Sequence, residues 1–221
     1  MIEKWLATVG PVRARPEVQV RYKIHLTGRD YVTQQAWEEA ILFVCPLHPN
    51  GGCGFRRHGT YSRVEPPGTR IARYYCSRGQ VTFSLLPDCL ASRWSSTLDE
   101  VEEVVVLAAK EKSQEAAAAK LHPTIQPSGA LRWLRRRIKA TRTILLTIAS
   151  LLPGSLGNDL NLVEVRKHLG TQRALSAMRE VAAKHFHAMP PPLGFHPRPM
   201  ASVGKRKSLQ HETGPDPPTP G

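Results

Sequence analysis

Apolar positions follow three regimes along the chain, and each predicts a different kind of structure. In EVQVRYKIHL, residues 17 to 26, apolar and polar side chains alternate, the period of a strand with one buried face. The next stretch, TQQAWEEAILF, groups its apolar residues at helical spacing and predicts a short helix. From Cys45 to about Pro87 Gly, Pro, Arg and aromatic residues replace any long period. There GTYSRV and TRIARYYC read as short strands joined by the EPPG turn.

Helical periodicity takes over afterwards. TLDEVEEVVVLAAKEK sets Leu98, Val101, Val105 and Ala108 or Ala109 on one face, with Thr97 as N-cap and Asp99, Glu100, Glu102 and Glu103 at the positive end of the helix dipole. A helix over about 98–111 follows. SQEAAAAKL starts a second helix capped by Ser113, and HPTIQPS ends it, since a residue before proline is disfavoured in the α region. SGALRWLRRRIKATRTILLTIASLL starts a third at Ser128. A weaker helical region, about 160 to 187, carries Leu162, Val165, Leu169, Leu175, Met178 and Val181. From Pro190 onward the chain holds nine of its nineteen prolines and almost no periodic apolar residues, which predicts a disordered tail.

These patterns predict an α+β chain: a segment of unclear role over 1–40, a zinc-ribbon-like β-hairpin module over 41–92, an all-α helix-turn-helix region over 95–152, a helical segment over 158–188 and a tail over 189–221. The most apolar run, ILLTIASLL, is about half the roughly twenty residues a spanning helix needs, so no membrane partner is expected. Four cysteines behind MIEKWLATVGPVRARPEV, which lacks an apolar leader region, argue against a disulfide framework and for a cytoplasmic protein. A formal charge of +13 turns attention to polyanions, with nucleic acid first.

The stretch CPLHPNGGCGFRRHGTYSR collects thiolate and imidazole donors among tight turns, the setting of a structural zinc site. Cys45, His48 and Cys53 make one knuckle, and Cys76 ends the second predicted strand. A standard ribbon adds a further ligand just beyond, as in C-x-x-C, where this chain has Gly79 and Gln80. His48, His58, Cys89 or water are the options for the fourth donor, and a degenerate ribbon without metal is the plainer alternative. A cysteine nucleophile finds no helix N-terminus or acid-oriented histidine beside it.

Between Leu121 and Asn158 there is no Asp or Glu, while Arg132, Arg135, Arg136, Arg137, Lys139 and Arg142 crowd one predicted helix. Leu131, Leu134 and Ile138 form its inward stripe and leave Arg132, Arg135, Arg136 and Lys139 outward. Preceded by an acidic helix and an Ala-rich one, this is the order of a helix-turn-helix with a recognition helix. Ser128 would cap that helix and offer amides to a phosphate, Arg132 would reach base edges, and Trp133 would pack or reach the backbone. A solvated surface, a membrane-binding face and a core helix are the competing readings.

CPLHPNGGCGFRRHGTYSR, RYYCSRGQVTFSLLPDCLASR and SGALRWLRRRIKA together resemble small bacterial proteins that join an N-terminal zinc ribbon to a transposase-like helix-turn-helix and occur with insertion sequences. The resemblance covers about residues 43 to 140. It implies DNA binding, with Cys45, Cys53 and Cys76 at ribbon ligand positions and Arg132 to Lys139 in the recognition helix. A full transposase would add three carboxylates for two magnesium ions. Asp159, Glu164 and Asp216 make no such set, and no catalysis is expected. The resulting expectation is a double-stranded DNA-binding protein, transposase-derived or regulatory. An interaction subunit for protein or RNA is second, and a truncated or split transposase third. Arg56, Arg57 and Arg63 are expected either to add phosphate contacts or to be solvated turn residues.

Overall fold

The computed structural model describes residues 19–186 and 188–195. Part of the expected N-terminal segment, residues 1–18, and most of the expected tail, residues 196–221 with Asp216, lie outside the described residues. The fold is mixed α+β, with four strands in one sheet and six α-helices among the described residues.

β1 (Gln19–Tyr22), β2 (Arg56–Ser62), β3 (Arg70–Cys76) and β4 (Val81–Pro87) lie side by side in the order β1-β4-β3-β2. β2, β3 and β4 form an antiparallel meander, and β1 runs parallel to β4 with Gln19 opposite Ser84. A strand at VTFSLLP was not expected. Its run of Val, Phe and Leu lacks clean alternation because β4 lies between β1 and β3 and its last residues are buried throughout. One sheet face carries Ala72, Tyr74, Cys76, Phe83 and Leu85 and packs on Ala40, Cys45 and Cys53. Part of the other face, at Ile71 and Leu86, packs with Tyr31, Leu90 and Phe195.

TQQAWEEAILF is not a helix. A short helix precedes it, α1 (Gly28–Thr33), where the Thr27 hydroxyl accepts from the Asp30 amide. Gln35 then takes a positive φ of 49° and the chain turns away. Burying Ala36, Trp37 and Ala40 against the sheet requires that turn, and it outweighs local helix propensity.

α2 (Leu98–Lys110) begins with a complete capping box: the Thr97 hydroxyl accepts from the Glu100 amide, and the Glu100 carboxylate accepts from the Thr97 amide. α3 (Gln114–Leu121) starts at Ser113 as expected. α4 (Pro127–Leu151) starts one residue earlier than expected, with Pro127 in its first turn and Gln126 as the capping residue. Ser128 therefore lies inside the helix and is not its cap, because proline's fixed φ already suits the first helical position. Val104 from α2, Ala117 and Ala118 from α3, and Ala130 and Leu134 from α4 share one core. The small alanines let α3 lie close to α4.

The region expected as one weak helix over 160 to 187 is two: α5 (Leu162–Leu169) and α6 (Ala174–Val181). Gly170, at φ 62°, provides the left-handed residue that stops α5. Ile144, Leu145 and Ile148 from α4 join Leu98 and Val101 from α2, Val165 from α5 and Leu175 and Met178 from α6 in the largest core. At its edge Glu102, 1% exposed, accepts from the Arg166 guanidinium at 2.6 Å and from the Ala174 and Leu175 amides at 2.8 Å each. One carboxylate thus caps α6 and fastens α5 to α2.

The expectation of a disordered tail fails for its first residues. Met189, Leu193 and Phe195 are buried. The buried Arg179 guanidinium donates to the carbonyls of Leu193 and Pro192 on one side and Pro87, Asp88 and Leu90 on the other. Carbonyls of a proline-rich strap need no regular structure to be satisfied by a five-donor side chain.

Candidate metal centre and basic helix face

Cys45, His48, Cys53 and Cys76 come together, with all their ligand atoms within 4.8 Å of one another, and could hold a metal ion. The first three sit on loops before β2, and Cys76 ends β3. A turn in which the His48 amide donates to the Cys45 carbonyl at 3.1 Å folds the first knuckle. The His48 Nδ1 atom then lies 3.6 Å from Cys45 Sγ and 3.3 Å from Cys76 Sγ. The Arg78 amide donates to the Cys53 carbonyl at 3.2 Å and ties the second knuckle to the first.

Gly79 stands where a ribbon pattern has its missing ligand. Its amide donates to Cys76 Sγ at 3.2 Å. A Cβ there would come within 2.7 Å of Leu47 Cδ1 and 3.3 Å of Cys76 Sγ. The residue read as a departure thus supplies a backbone donor at a point where a side chain would have to push the Leu47 methyl aside and crowd Cys76 Sγ. Burial acts to raise the Cys76 thiol pKa, but the Gly79 amide, the neighbouring thiols and the Arg78 amide together hold it below the ordinary thiol value. Burial, reinforced by Cys45 and Cys76, pushes Cys53 up.

The other donors considered for the fourth position are engaged elsewhere. His58 lies on the exposed hairpin with its ring 5.6 Å from that of Tyr75. Cys89 belongs to the core around Tyr31 and Leu90, where burial pushes its thiol up to about 12. Arg57 and Arg63 are structural: Arg57 donates to the Trp37 and Glu38 carbonyls at 2.7 Å each, and Arg63 donates to the Ala91 carbonyl at 2.5 Å.

On α4 the structure brings Ser128, Arg132, Arg135, Arg136 and Lys139 out to solvent. At about 100° per residue Ser128, Arg132, Arg136 and Lys139 share the side opposite Leu134, which is fully buried, and Arg135 and Arg142 line its edge. Arg142 follows Arg135 by seven residues, the signal that places it there. Arg135 also reaches Gln114 at 3.2 Å and Glu115 at 3.3 Å on α3. Arg137 and Trp133, both expected to serve DNA binding, are half-buried on the flank of this row, Trp133 in the packing role that was one of its two expected ones. Arg137 lies on the flank with its guanidinium 3.6 Å from the centre of the Trp133 ring and 5.3 Å from that of Trp94, and burial lowers its pKa to about 10. Trp133 in turn packs edge-on against His122, with ring centres 4.2 Å apart.

Among the described residues no helix is long and apolar enough to cross a membrane. No family model matches the chain, and no curated protein or solved structure matches it either.

Proposed function

We propose that this protein binds double-stranded DNA with a sequence preference, reading it with the exposed basic face of α4, and that a structural zinc ion holds the β-hairpin module. The observation that carries the reading is the row Arg132, Arg135, Arg136, Lys139 and Arg142, opposite a buried stripe and backed by α2 and α3. α3 and the N-terminal half of α4 then act as a helix-turn-helix, joined by residues 122–126. The row is long enough to follow phosphates and narrow enough for a major groove. Arg137, stacked on two indoles, fixes the helix rather than touching DNA. In this reading the protein is transposase-derived or regulatory and has no catalysis of its own.

Three thiolates and an imidazole are the ligand chemistry of structural zinc. With Zn–S near 2.3 Å and Zn–N near 2.0 Å, a tetrahedral ion sets sulfur and nitrogen about 3.5 Å apart. The Cys45–His48 and Cys76–His48 separations of 3.6 and 3.3 Å are close to that. One zinc per folded chain by elemental analysis is expected; a folded, metal-free chain contradicts this part.

Selection from random duplexes tests the function. The reading predicts an enriched motif bound more tightly than scrambled duplex, with affinity falling steeply as salt rises. Equal binding to every duplex and to heparin would refute it. The second reading, a protein-interaction subunit, draws on Ile41, Phe43, Val44 and Leu47, apolar residues exposed around the first knuckle. It gains if selection yields no motif and substitutions there abolish a stable complex.

A further inference from the structure

We propose that the sheet face turned away from the sulfur cluster binds a single strand of nucleic acid, with bases against Tyr75 and His58 and phosphates against Arg56 and Arg73. This surface is separate from the α4 row, and the inference does not rest on the duplex reading.

Side chains of a strand alternate between faces, and residues paired across strands share one. Tyr74 and Cys76 point toward the cluster side. Arg73 and Tyr75 therefore point to the other. Tyr75 pairs with Arg56 on one side and Thr82 on the other, and Arg73 pairs with Ser84. The result is two rows about 7 Å apart along the strand, with a cation in each and an aromatic ring in one. Ring contacts agree with this register: His58 lies beside Tyr75, and the Arg73 guanidinium lies 5.9 Å over the Tyr61 ring.

Arg56 and His58 are exposed, and Arg73, Tyr75, Thr82 and Ser84 are half-buried. Among the described residues only the Ile71 and Leu86 end of the face is closed, by the core around Tyr31 and Phe195. Between residues 56 and 87 the chain has a single acid, Glu65, and it sits in the β2–β3 turn, at the end of the hairpin remote from Tyr75. The open part is thus positive, ring-bearing and polar at its margins.

That combination favours a single strand over a duplex. Unpaired bases expose rings for stacking on aromatic side chains, while a duplex hides them and offers mainly phosphates. A sheet face presenting separate rings suits the first, because stacking needs access to unpaired bases that a duplex keeps closed. DNA and RNA single strands share this chemistry, so the test carries both.

The test is fluorescence anisotropy of the full chain with oligo(dT) and oligo(rU) of about twelve nucleotides, within the range one small sheet covers. The unsubstituted protein is expected to bind at least one of them, the tighter one identifying the source; binding to neither overturns the proposal. Tyr75→Thr is expected to weaken binding about tenfold, and Tyr75→Phe to retain it. Arg56→Gln with Arg73→Gln should lower the log-log salt slope by about 1.4, or about 0.7 for each phosphate left without its cation. Circular dichroism and metal content establish that each variant is folded. Folded variants with unchanged affinity and slope overturn the proposal. So does loss of single-strand binding in Arg132→Ala/Arg136→Ala, since that would assign the strand to α4. Failure of duplex selection with oligonucleotide binding intact removes only the duplex reading.

Discussion

Replacing Glu102 by Ala leaves three donors facing a void: the Arg166 guanidinium and the amides of Ala174 and Leu175. Each buried amide left unpaired costs roughly 1–3 kcal/mol, and breaking a buried ion pair by removing one partner costs roughly 3–5 kcal/mol. These costs overlap, because relaxation that rescues one donor rescues the others, and Arg166 is partly open to water. A loss of about 4 kcal/mol is the working figure, which at roughly 2–4 °C per kcal/mol for a chain of this size lowers Tm by about 10 °C. Glu102→Gln keeps one acceptor oxygen and should lose about half as much. The exposed neighbour is the control: Glu103→Ala should change stability by less than about 0.5 kcal/mol. Thermal and urea unfolding followed by circular dichroism read all three. A Glu102→Ala protein within about 1 kcal/mol of the unsubstituted one would refute the claim that this carboxylate joins α5 and α6 to α2.

Arg179→Met should free the strap at 190–195 by orphaning the carbonyls it serves, giving a proteolytic cut near Pro190 that the unsubstituted protein resists; equal resistance contradicts the clamp. Cys89, with its thiol at about 12, should resist iodoacetamide at pH 8 in the folded chain and react only in denaturant; rapid labelling of the native protein contradicts its burial. The Glu180 carboxyl is held at about 2, first by its hydrogen bond from Lys23 and then by Arg21. Because its folded pKa is depressed, its contribution is present above the usual carboxylate range and fades as pH falls from about 4.3 toward 2. Glu180→Gln should flatten the stability profile in that window, and an unchanged profile counts against the Lys23 and Arg21 contacts.

Much of the fold was legible because local signals and tertiary demands coincide. Thr97 and Glu100 form their capping box where the acidic run begins, and the alternation in RYYC matches a strand with one covered face. The errors have a common origin. TQQAWEEAILF has helical spacing, yet Trp37 and Ala40 are wanted on the sheet, and nothing within the segment reports that demand. The strap at 190–195 lacks periodicity because its partner is a single side chain, Arg179, on another element. For the site, donor spacing was enough to choose Cys45, Cys53 and Cys76 and to offer His48, His58, Cys89 or water as the fourth donor; the fold brings His48 to the three thiols. Spacing was not enough to interpret Gly79, whose contribution is an amide and the absence of a Cβ. On α4 the charge density was visible. Arg137 falls outside the row by helical period alone, three residues from buried Leu134 and one turn from Trp133; what the local pattern does not report is that Trp94, which lies before α2 in the chain, also meets it.

The central claim is that the exposed row on α4 meets duplex phosphates and bases, and salt-dependent duplex binding of Arg132→Ala and Arg136→Ala tests it most directly. Both variants should bind more weakly, with a log-log salt slope shallower by about 0.9 for each phosphate no longer neutralised. Affinity and slope equal to those of the unsubstituted protein in both variants would contradict it.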